Sequence, residues 1–432
     1  MSGISALCFC VCLGVLASAF LRGSDLLSPG RLFGFLWFLA IGLTNLKLSA
    51  FQYDWSFQDW LLLSIGVGSF ILGTYMVSVV WIGEPVLSAR AMRRRIASVT
   101  IDERVLFRLT MIVFLCYVVS YLASYLIKGF IPLLTPRPSE MRTKFTVFAF
   151  GLVVHAAPAI MFFVLQYFVL VKGRLVKKGV LGLVFLITAG TYLFLLQRFD
   201  YAIWAVVSFV FLYYASGYLR LRTLLVPVLG FAGLFYWIQS LRLIGHIEYY
   251  IYYVSRMKID ISFAVVTEPY MYIVMNLENF VHGSKLLEQY GFGYYTFNFI
   301  MSLTGLKHWL AEYFSMPENP FMTGGYNTYS FLWAYYRDFG VLGVGLLPLV
   351  LGAAISTVYH SMRTRPTILN ISLYGLAVFV ILISFFHNAL AMLQFVFIVT
   401  VVYLVNASVL RHSHVLNEMT SEPGGKGMLT PR

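Results

Sequence analysis

Charge is what this 432-residue chain has least of: only 11% of it is Asp, Glu, Lys or Arg, while 60% is hydrophobic. Soluble domains are nearer ~25% charged, so a water-soluble globular fold is excluded. Cysteine is scarce as well. Cys8, Cys10, Cys12 and Cys116 all fall inside apolar runs, without disulfide or metal-ligand spacing, and read as small apolar residues. No internal repeat is visible, which counts against the transporters built from repeated halves. The amino-terminal apolar run followed by Ala17-Ser18-Ala19 mimics a signal peptide but lacks its basic leading region, so it reads as a first membrane span.

What the chain has in quantity is long apolar runs. About 20 such residues cross a bilayer as a helix, and a helix is the way such a run satisfies its backbone in lipid. Spans are expected near 3–21, 32–50, 60–82, 105–127, 146–171, 179–197, 201–219, 223–240, 340–360, 367–386 and 389–410. The expected fold is all-α and polytopic, with about eleven transmembrane helices. The net charge of +13 is spread through short turns and is no nucleic-acid signal. Arg22 and Arg31, then Arg90, Arg93, Arg94, Arg95 and Arg104, then Lys172, Arg174, Lys177 and Lys178, then Arg220 and Arg222, then Arg363 and Arg365 fill alternate turns. The positive-inside rule makes those turns cytoplasmic. The amino terminus then lies outside and the carboxyl terminus inside. Four regions follow: a bundle over 1–240, a large outward loop over 241–339, further membrane helices over 340–412, and a polar, Gly-rich cytoplasmic tail over 413–432 that reads as disordered.

Three outward segments carry more than a turn requires. In the first, 128–145, Pro132, Pro136 and Pro138 forbid a continuous helix. Ser139 is placed to cap a new helix bearing Arg142. Arg137, Arg142 and Lys144 are basic on the side where the positive-inside rule disfavours it, as interfacial snorkelling residues or as anion binders. In the second, the short turn 197–200, Arg198 either pairs with Asp200 or meets a lipid phosphate. The third is the long loop. Tyr249, Tyr252, Tyr253 and Arg256 share one helical face over 246–257, as an interfacial anchor or as platforms on which sugar C–H faces stack. A second amphipathic helix over 267–282, opened by Pro269, holds Glu268, Asn276, Glu278, Asn279 and His282. Glu278 and His282 are four apart and can simply pair. A third helix is expected near 298–313. Asn327 or Thr328 is placed to cap a helix that carries Arg337 and Asp338 to the membrane surface, where Asp338 has a structural alternative in pairing with Arg337 or capping the next span. Gly340, Gly343 and Gly345 then read as sites of close helix contact.

Taken together, "GFIPLLTPRPSEMRTKF" (129–145), a lone arginine opening a span in "QRFDYAIW" (197–204), and "NTYSFLWAYYRDFGVLGVGLLPLVLG" (327–352) resemble the Wzy-type oligosaccharide repeat-unit polymerases of O-antigen, capsule and exopolysaccharide assembly. The resemblance covers about 120–360 and no single motif in it is very specific; the O-antigen ligases share the architecture. It implies a multi-pass protein of the bacterial inner membrane with a GT-C-like architecture and a large periplasmic loop of short amphipathic helices. The implied activity joins repeat units carried on undecaprenyl pyrophosphate, at the periplasmic face. The implied partners are those lipid-linked oligosaccharides, membrane lipid, a chain-length-regulating co-polymerase and a flippase, with no nucleic acid. The family's outward arginines serve the pyrophosphate; the matching positions are Arg142 and Arg198, with Arg242, Arg256 and Arg337 in the long loop.

The residues fit that chemistry on their own terms. Arginine meets two phosphate oxygens through a planar fork and stays charged. Several arginines in a semi-dry site stabilise a departing pyrophosphate without a metal. No Asp-x-Asp motif is present, so neither a divalent ion nor another cofactor is expected. Direct displacement by a sugar hydroxyl inverts the anomeric carbon and needs at most one general base. Glu268, Glu278, His282 and Asp338 are the candidates, with Glu268 and His282 preferred; His246 and His387 also lie outward, where a lone histidine more often serves structure. Tyr249, Tyr252, Tyr253, Tyr326, Asn327 and Tyr336 are the candidate glycan contacts. Three alternatives stand beside the polymerase: a ligase, which differs in acceptor; a flippase or other transporter, which the nearly charge-free spans disfavour; and a polyprenyl-phosphate-sugar transferase, for which Asp54 and Asp59 lack adjacent spacing. A topology reporter fused after Val415 is expected to read cytoplasmic and one inserted at Gly283 to read exterior. Both on one side would overturn this topology.

Overall fold

The computed structural model describes residues 3–18, 25–84, 86–98, 101–145, 147–217, 233, 247–314, 319–323 and 325–421. The expected span 223–240, Arg242, His246 and the end of the tail lie outside the described residues. Within them the protein is all-helical, and the only strand-like feature is one antiparallel bridge between Ser49 and Met257. Six helical stretches are long and apolar enough to cross a membrane: Phe57–Val80, Glu103–Leu134, Phe150–Leu170, Leu175–Leu193, Leu332–Thr364 and Leu393–Ser413. Gly3–Ser18, Pro29–Thr44 and Ile368–Ile383 are apolar but shorter. Several apolar helices of this kind make a membrane-embedded protein.

The chain forms two compact units. The first comprises Met1–Ser88, Gly233–Thr364 and Leu376–Val396. It contains α1 (Gly3–Ser18), α2 (Pro29–Thr44) and α3 (Phe57–Val80). α3 opens with a capping box, Ser56 and Asp59 each bonding the other's backbone N–H. The second unit comprises Ala89–Ala232, Arg365–Gly375 and Phe397–Arg432. It contains α4 (Ala89–Ser98), α5 (Glu103–Lys128), α6 (Pro138–Lys144), α7 (Phe150–Val154), α8 (Ala157–Leu170), α9 (Leu175–Leu193) and α10 (Arg198–Ala215). Its interior is aromatic, with Phe162, Phe163, Tyr167, Phe211 and Tyr214 fully buried. One buried amide there is satisfied at long range: Gln166 Nε2 donates to Ser372 Oγ at 2.9 Å and to Asn406 Oδ1 at 3.1 Å.

The long loop supplies the first unit with α11 (Ile247–Val254), α12 (Ala264–Leu286), α13 (Asn298–Thr304) and α14 (Leu306–Phe314), and the chain continues into α15 (Leu332–Thr364). Pro269 lies inside α12, whose first turn begins earlier, at Ala264. The single helix expected near 298–313 is two, because Gly305 adopts a left-handed φ of 76° between them. α15 begins at Leu332, past Asn327 and Thr328, and α6 begins at Pro138 with Arg137 at its N-cap, so that Ser139 falls within it.

The close contact between α3 and α15 rests on glycines other than those expected. A Cβ on Gly73 would meet the Leu349 carbonyl oxygen at 2.1 Å, and one on Gly352 the Phe70 carbonyl oxygen at 2.2 Å. Gly345 has ordinary room, 3.6 Å to Ile65, and Gly343 meets the Tyr335 carbonyl of its own helix. That crowding follows from Gly340, whose φ of 60° and ψ of −142° interrupt α15 in a conformation open to glycine alone. Gly73→Ala and Gly352→Ala are each expected to cost about 1–3 kcal/mol through overpacking, while Gly345→Ala is near neutral. Thermal unfolding of the purified protein in detergent checks the ranking.

Candidate functional site

Helix α12 is the organiser of the first unit. Its middle buries Asn276, Glu278 and Asn279, none more than 1% exposed. Buried polar groups must find partners, and these find them in other segments. Asn279 Nδ2 donates to the carbonyls of Tyr326 at 2.8 Å and Thr328 at 2.9 Å, while its Oδ1 accepts from Met322 N at 3.1 Å. Asn276 accepts from the Thr328 hydroxyl. Met322, Tyr326 and Thr328 are thereby pinned along the helix.

Glu278 performs the same service for the segment between α2 and α3. Its carboxylate takes Lys47 Nζ at 2.8 Å, Trp55 Nε1 at 2.9 Å and Gln52 Nε2 at 3.4 Å. Lys47 also lies 4.8 Å from the centre of the Trp55 ring. Burial pushes the Glu278 carboxyl up from the ordinary value, against the Lys47 charge and these hydrogen bonds. His282, one turn on, is half-buried, and burial together with the Lys285 charge holds it below the usual imidazole range. Lys285 itself bonds Asp59 at 2.7 Å.

Asp338 has no exposure. Both its oxygens face the backbone of the 291–296 turn: Tyr295 N at 3.1 Å and Thr296 N at 2.5 Å to Oδ2, with Tyr295 N also 3.2 Å from Oδ1. Gly291 N and Phe292 N add bonds to the carbonyls of Arg337 and Asp338. Asp338 holds a turn upstream in the chain, a role different from the expected capping of the next span or pairing with Arg337.

The turn delivers Tyr294 and Tyr295 to a cleft of about 520 Å³. Its other walls are Asn298, Lys307 and Ala311 from α13 and α14, Asn319, Phe321 and residues 327–330, Trp333, Ala334 and Arg337 from the head of α15, and His387, Asn388, Ala391 and Met392. Aromatic rings form a continuous wall. Phe321 and Tyr329 lie 4.8 Å apart, Tyr329 stacks on Trp333 at 4.6 Å and 15°, and Trp333 on Tyr336 at 6.4 Å and 19°.

Arg337 is only 7% exposed. Its guanidinium lies 3.6 Å from the Tyr295 ring centre and 6.0 Å from that of Trp333, and Nη1 donates to Asn319 Oδ1 at 2.7 Å. Its Nε has no hydrogen-bond partner among the described residues, nor do Tyr329 Oη and Ser330 Oγ, all three on lining residues. Arg337 and Lys307 are the cations of the described lining, and no carboxylate is among it. Stacked rings, amides and a fork-shaped cation suit a hydroxyl-rich ligand carrying negative charge. No group of three or more His, Cys, Asp or Glu side chains among the described residues converges to hold a metal ion.

Of the residues expected to form a site, Asn327 and Arg337 line this cleft and Tyr336 backs its aromatic wall. Asp338 supports it through the 291–296 turn, while Glu278 fastens the 47–55 segment, which is not part of its lining. Glu268 is half-buried and lies close enough to Tyr326 to raise its phenol. Tyr326 packs with Tyr270, Met271, Val274 and Met275, and its hydroxyl bonds Ser255 Oγ at 2.7 Å, so burial pushes it up to about 12. Tyr249 and Tyr253 are exposed on α11, and Tyr252 donates to the Ile259 carbonyl at 2.5 Å. Arg256 lies 5.4 Å from the Phe51 ring centre.

In the second unit, Arg142 is half-buried on α6 and Arg198 half-buried at the start of α10. The sequence reading missed the arrangement beside Arg198. Asp200, 1% exposed, accepts from His155 Nδ1 at 2.6 Å and from the Tyr192 hydroxyl.

Trp333 and Arg337 are four apart, a spacing that places them on one helical face, and Tyr329, four residues earlier and just ahead of α15, continues the same series; that series could have flagged the cleft wall. Asn319, Lys307 and His387 have no such signal. Lys47→Met strands the buried Glu278 and is expected to cost about 3 kcal/mol at neutral pH. The folded state already holds the Glu278 proton more tightly than the unfolded chain. Its contribution is therefore full below the ordinary carboxylate value of 4.5 and is lost as pH rises through the raised one. Without Lys47 that value rises further, so the deficit shrinks toward acid pH and is largely removed by adding Glu278→Gln. Denaturation midpoints of the wild type and the two variants across pH check this.

No family model, curated protein or solved structure matches this chain.

Proposed function

We propose that this protein is a membrane glycosyltransferase that joins undecaprenyl-pyrophosphate-linked oligosaccharide repeat units at the periplasmic face of a bacterial inner membrane. In this reading the chain crosses the membrane about eleven times with its amino terminus outside, in a GT-C-like arrangement. The growing chain on one carrier is the donor, and a single unit on another is the acceptor.

The observation that carries the reading is the cleft: a stacked aromatic wall, several amides, Arg337 with an unpartnered buried Nε, Lys307, and no carboxylate among its described lining. Aromatic faces take sugar rings. A guanidinium held by a ring and an amide is preorganised for phosphate oxygens and supplies charge where the leaving group needs it. Arg337 also stands at the head of the membrane-competent helix Leu332–Thr364, the level at which a lipid-borne pyrophosphate emerges.

The decisive test is the surface glycan of a strain lacking the protein, analysed on gels together with the carrier-linked pool. Single repeat units are the expected outcome. Full-length polymer stranded on the carrier would indicate a ligase, and absence of exported units a flippase. Arg337→Ala is expected to reproduce the deletion at normal protein level, and Arg337→Lys to retain charge yet lose about 10- to 100-fold of activity with the bidentate geometry. Normal polymer in both variants overturns the cleft as the site.

A further inference from the structure

Moving a sugar from a pyrophosphate to a hydroxyl releases one proton, and a group in the cleft that takes it as the bond forms speeds the transfer. The carboxylates nearest in sequence are committed elsewhere. Glu278 is occupied by Lys47, Trp55 and Gln52, and Asp338 by the backbone of Tyr295 and Thr296; neither lines the cleft. Glu268 and His282 are also absent from its lining. The described lining holds two cations, phenols, amides and hydroxyls, all poor proton acceptors at neutral pH, and one imidazole, that of His387. Imidazoles ordinarily titrate near ~6.5, and desolvation by the surrounding protein holds His387 lower, so its ring is neutral at pH 7 and able to accept a proton.

His387 is well placed for this. It follows Ile368–Ile383, and its backbone N–H is anchored to the Ile383 carbonyl at 2.7 Å. The neighbouring Asn388 and Ala389 are buried, which fixes the connection, while the His387 side chain is exposed. It therefore stands on a rigid support and projects from it.

We propose that His387 is the general base of the transfer; this rests on the function proposed above. As the acceptor hydroxyl oxygen forms its bond to the donor's anomeric carbon, its proton passes to a ring nitrogen of His387. The bond from that carbon to the pyrophosphate oxygen breaks, and the electron pair leaves with the pyrophosphate, whose charge Arg337 and Lys307 meet. No other reactant is required.

The test compares His387→Gln, His387→Asn and Arg337→Ala in a strain lacking the chromosomal copy, with polymer normalised to membrane-embedded protein. Binding of undecaprenyl pyrophosphate to each purified protein in nanodiscs is measured by native mass spectrometry. Both His387 variants are expected to lose about 100-fold or more of polymer formation with binding changed less than about twofold, whereas Arg337→Ala loses both. If the amide variants accumulate poorly, His387→Ala is assayed in nanodiscs with and without free imidazole, and recovery of transfer by imidazole is expected. Wild-type polymer in the His387 variants, joint loss of binding and polymer, or no imidazole rescue overturns the base assignment while leaving the cleft intact. Normal polymer in Arg337→Ala as well would overturn the proposed function itself.

Discussion

A carboxylate cut off from water needs several donors around it, and Asp338 obtains them from the backbone of a turn more than 40 residues upstream. Those bonds fix the 291–296 turn against the head of α15, and three further features depend on them. Tyr295 is set under the Arg337 guanidinium, Tyr294 is set beside α13 and α14, and the cleft acquires its second wall. The backbone bonds from Gly291 and Phe292 to the carbonyls of Arg337 and Asp338 brace the same junction. Closing a loop over so many residues costs chain entropy, and these bonds to a buried carboxylate offset part of it at the point of closure.

Helix α12 applies the same device along its buried side. Asn276, Glu278 and Asn279 are polar residues placed where an amphipathic helix would carry leucine. Each exchanges apolar packing for hydrogen bonds to chain outside the helices: Met322, Tyr326 and Thr328 through the two asparagines and 47–55 through the glutamate. Such segments cannot hold a conformation by themselves. A satisfied buried polar group specifies their register where a hydrophobic contact would leave them free to slide. The first unit is thus built as a helical frame with irregular chain fastened to it, and the cleft lies among the fastened parts.

The frame was legible. Apolar runs of sufficient length became the helices 57–80, 332–364 and 393–413 because lipid leaves the backbone no alternative, and the amphipathic stretches over 247–254 and 264–286 declared themselves by spacing. Boundaries shifted where one residue overrode the pattern, as Gly305 did in dividing α13 from α14. The site was legible only where its residues share a helix. Arg337 and Asn327 were readable from their own segment, but Asn319, Lys307, Tyr295 and His387 arrive from separate parts of the chain. Glu278 and Asp338 are the instructive cases. Acid on a helix face in a polar loop looks like chemistry, yet what decides its role is the set of donors that tertiary structure brings to it, and sequence spacing is silent on those.

Gly340 has a further bearing on how such a site is built. With φ of 60° and ψ of −142° it separates the first turns of α15, which hold Trp333 and Arg337, from the apolar length that follows. A rigid rod would tie the aim of the guanidinium to the tilt of the span, and any change in bilayer thickness or neighbouring packing would swing the cleft wall with it. One residue of opposite handedness sets the guanidinium at an angle to the span instead of along it, and the bonds to the 291–296 turn hold the head in that aim, so a single helix in sequence works as two levers joined at a fixed elbow.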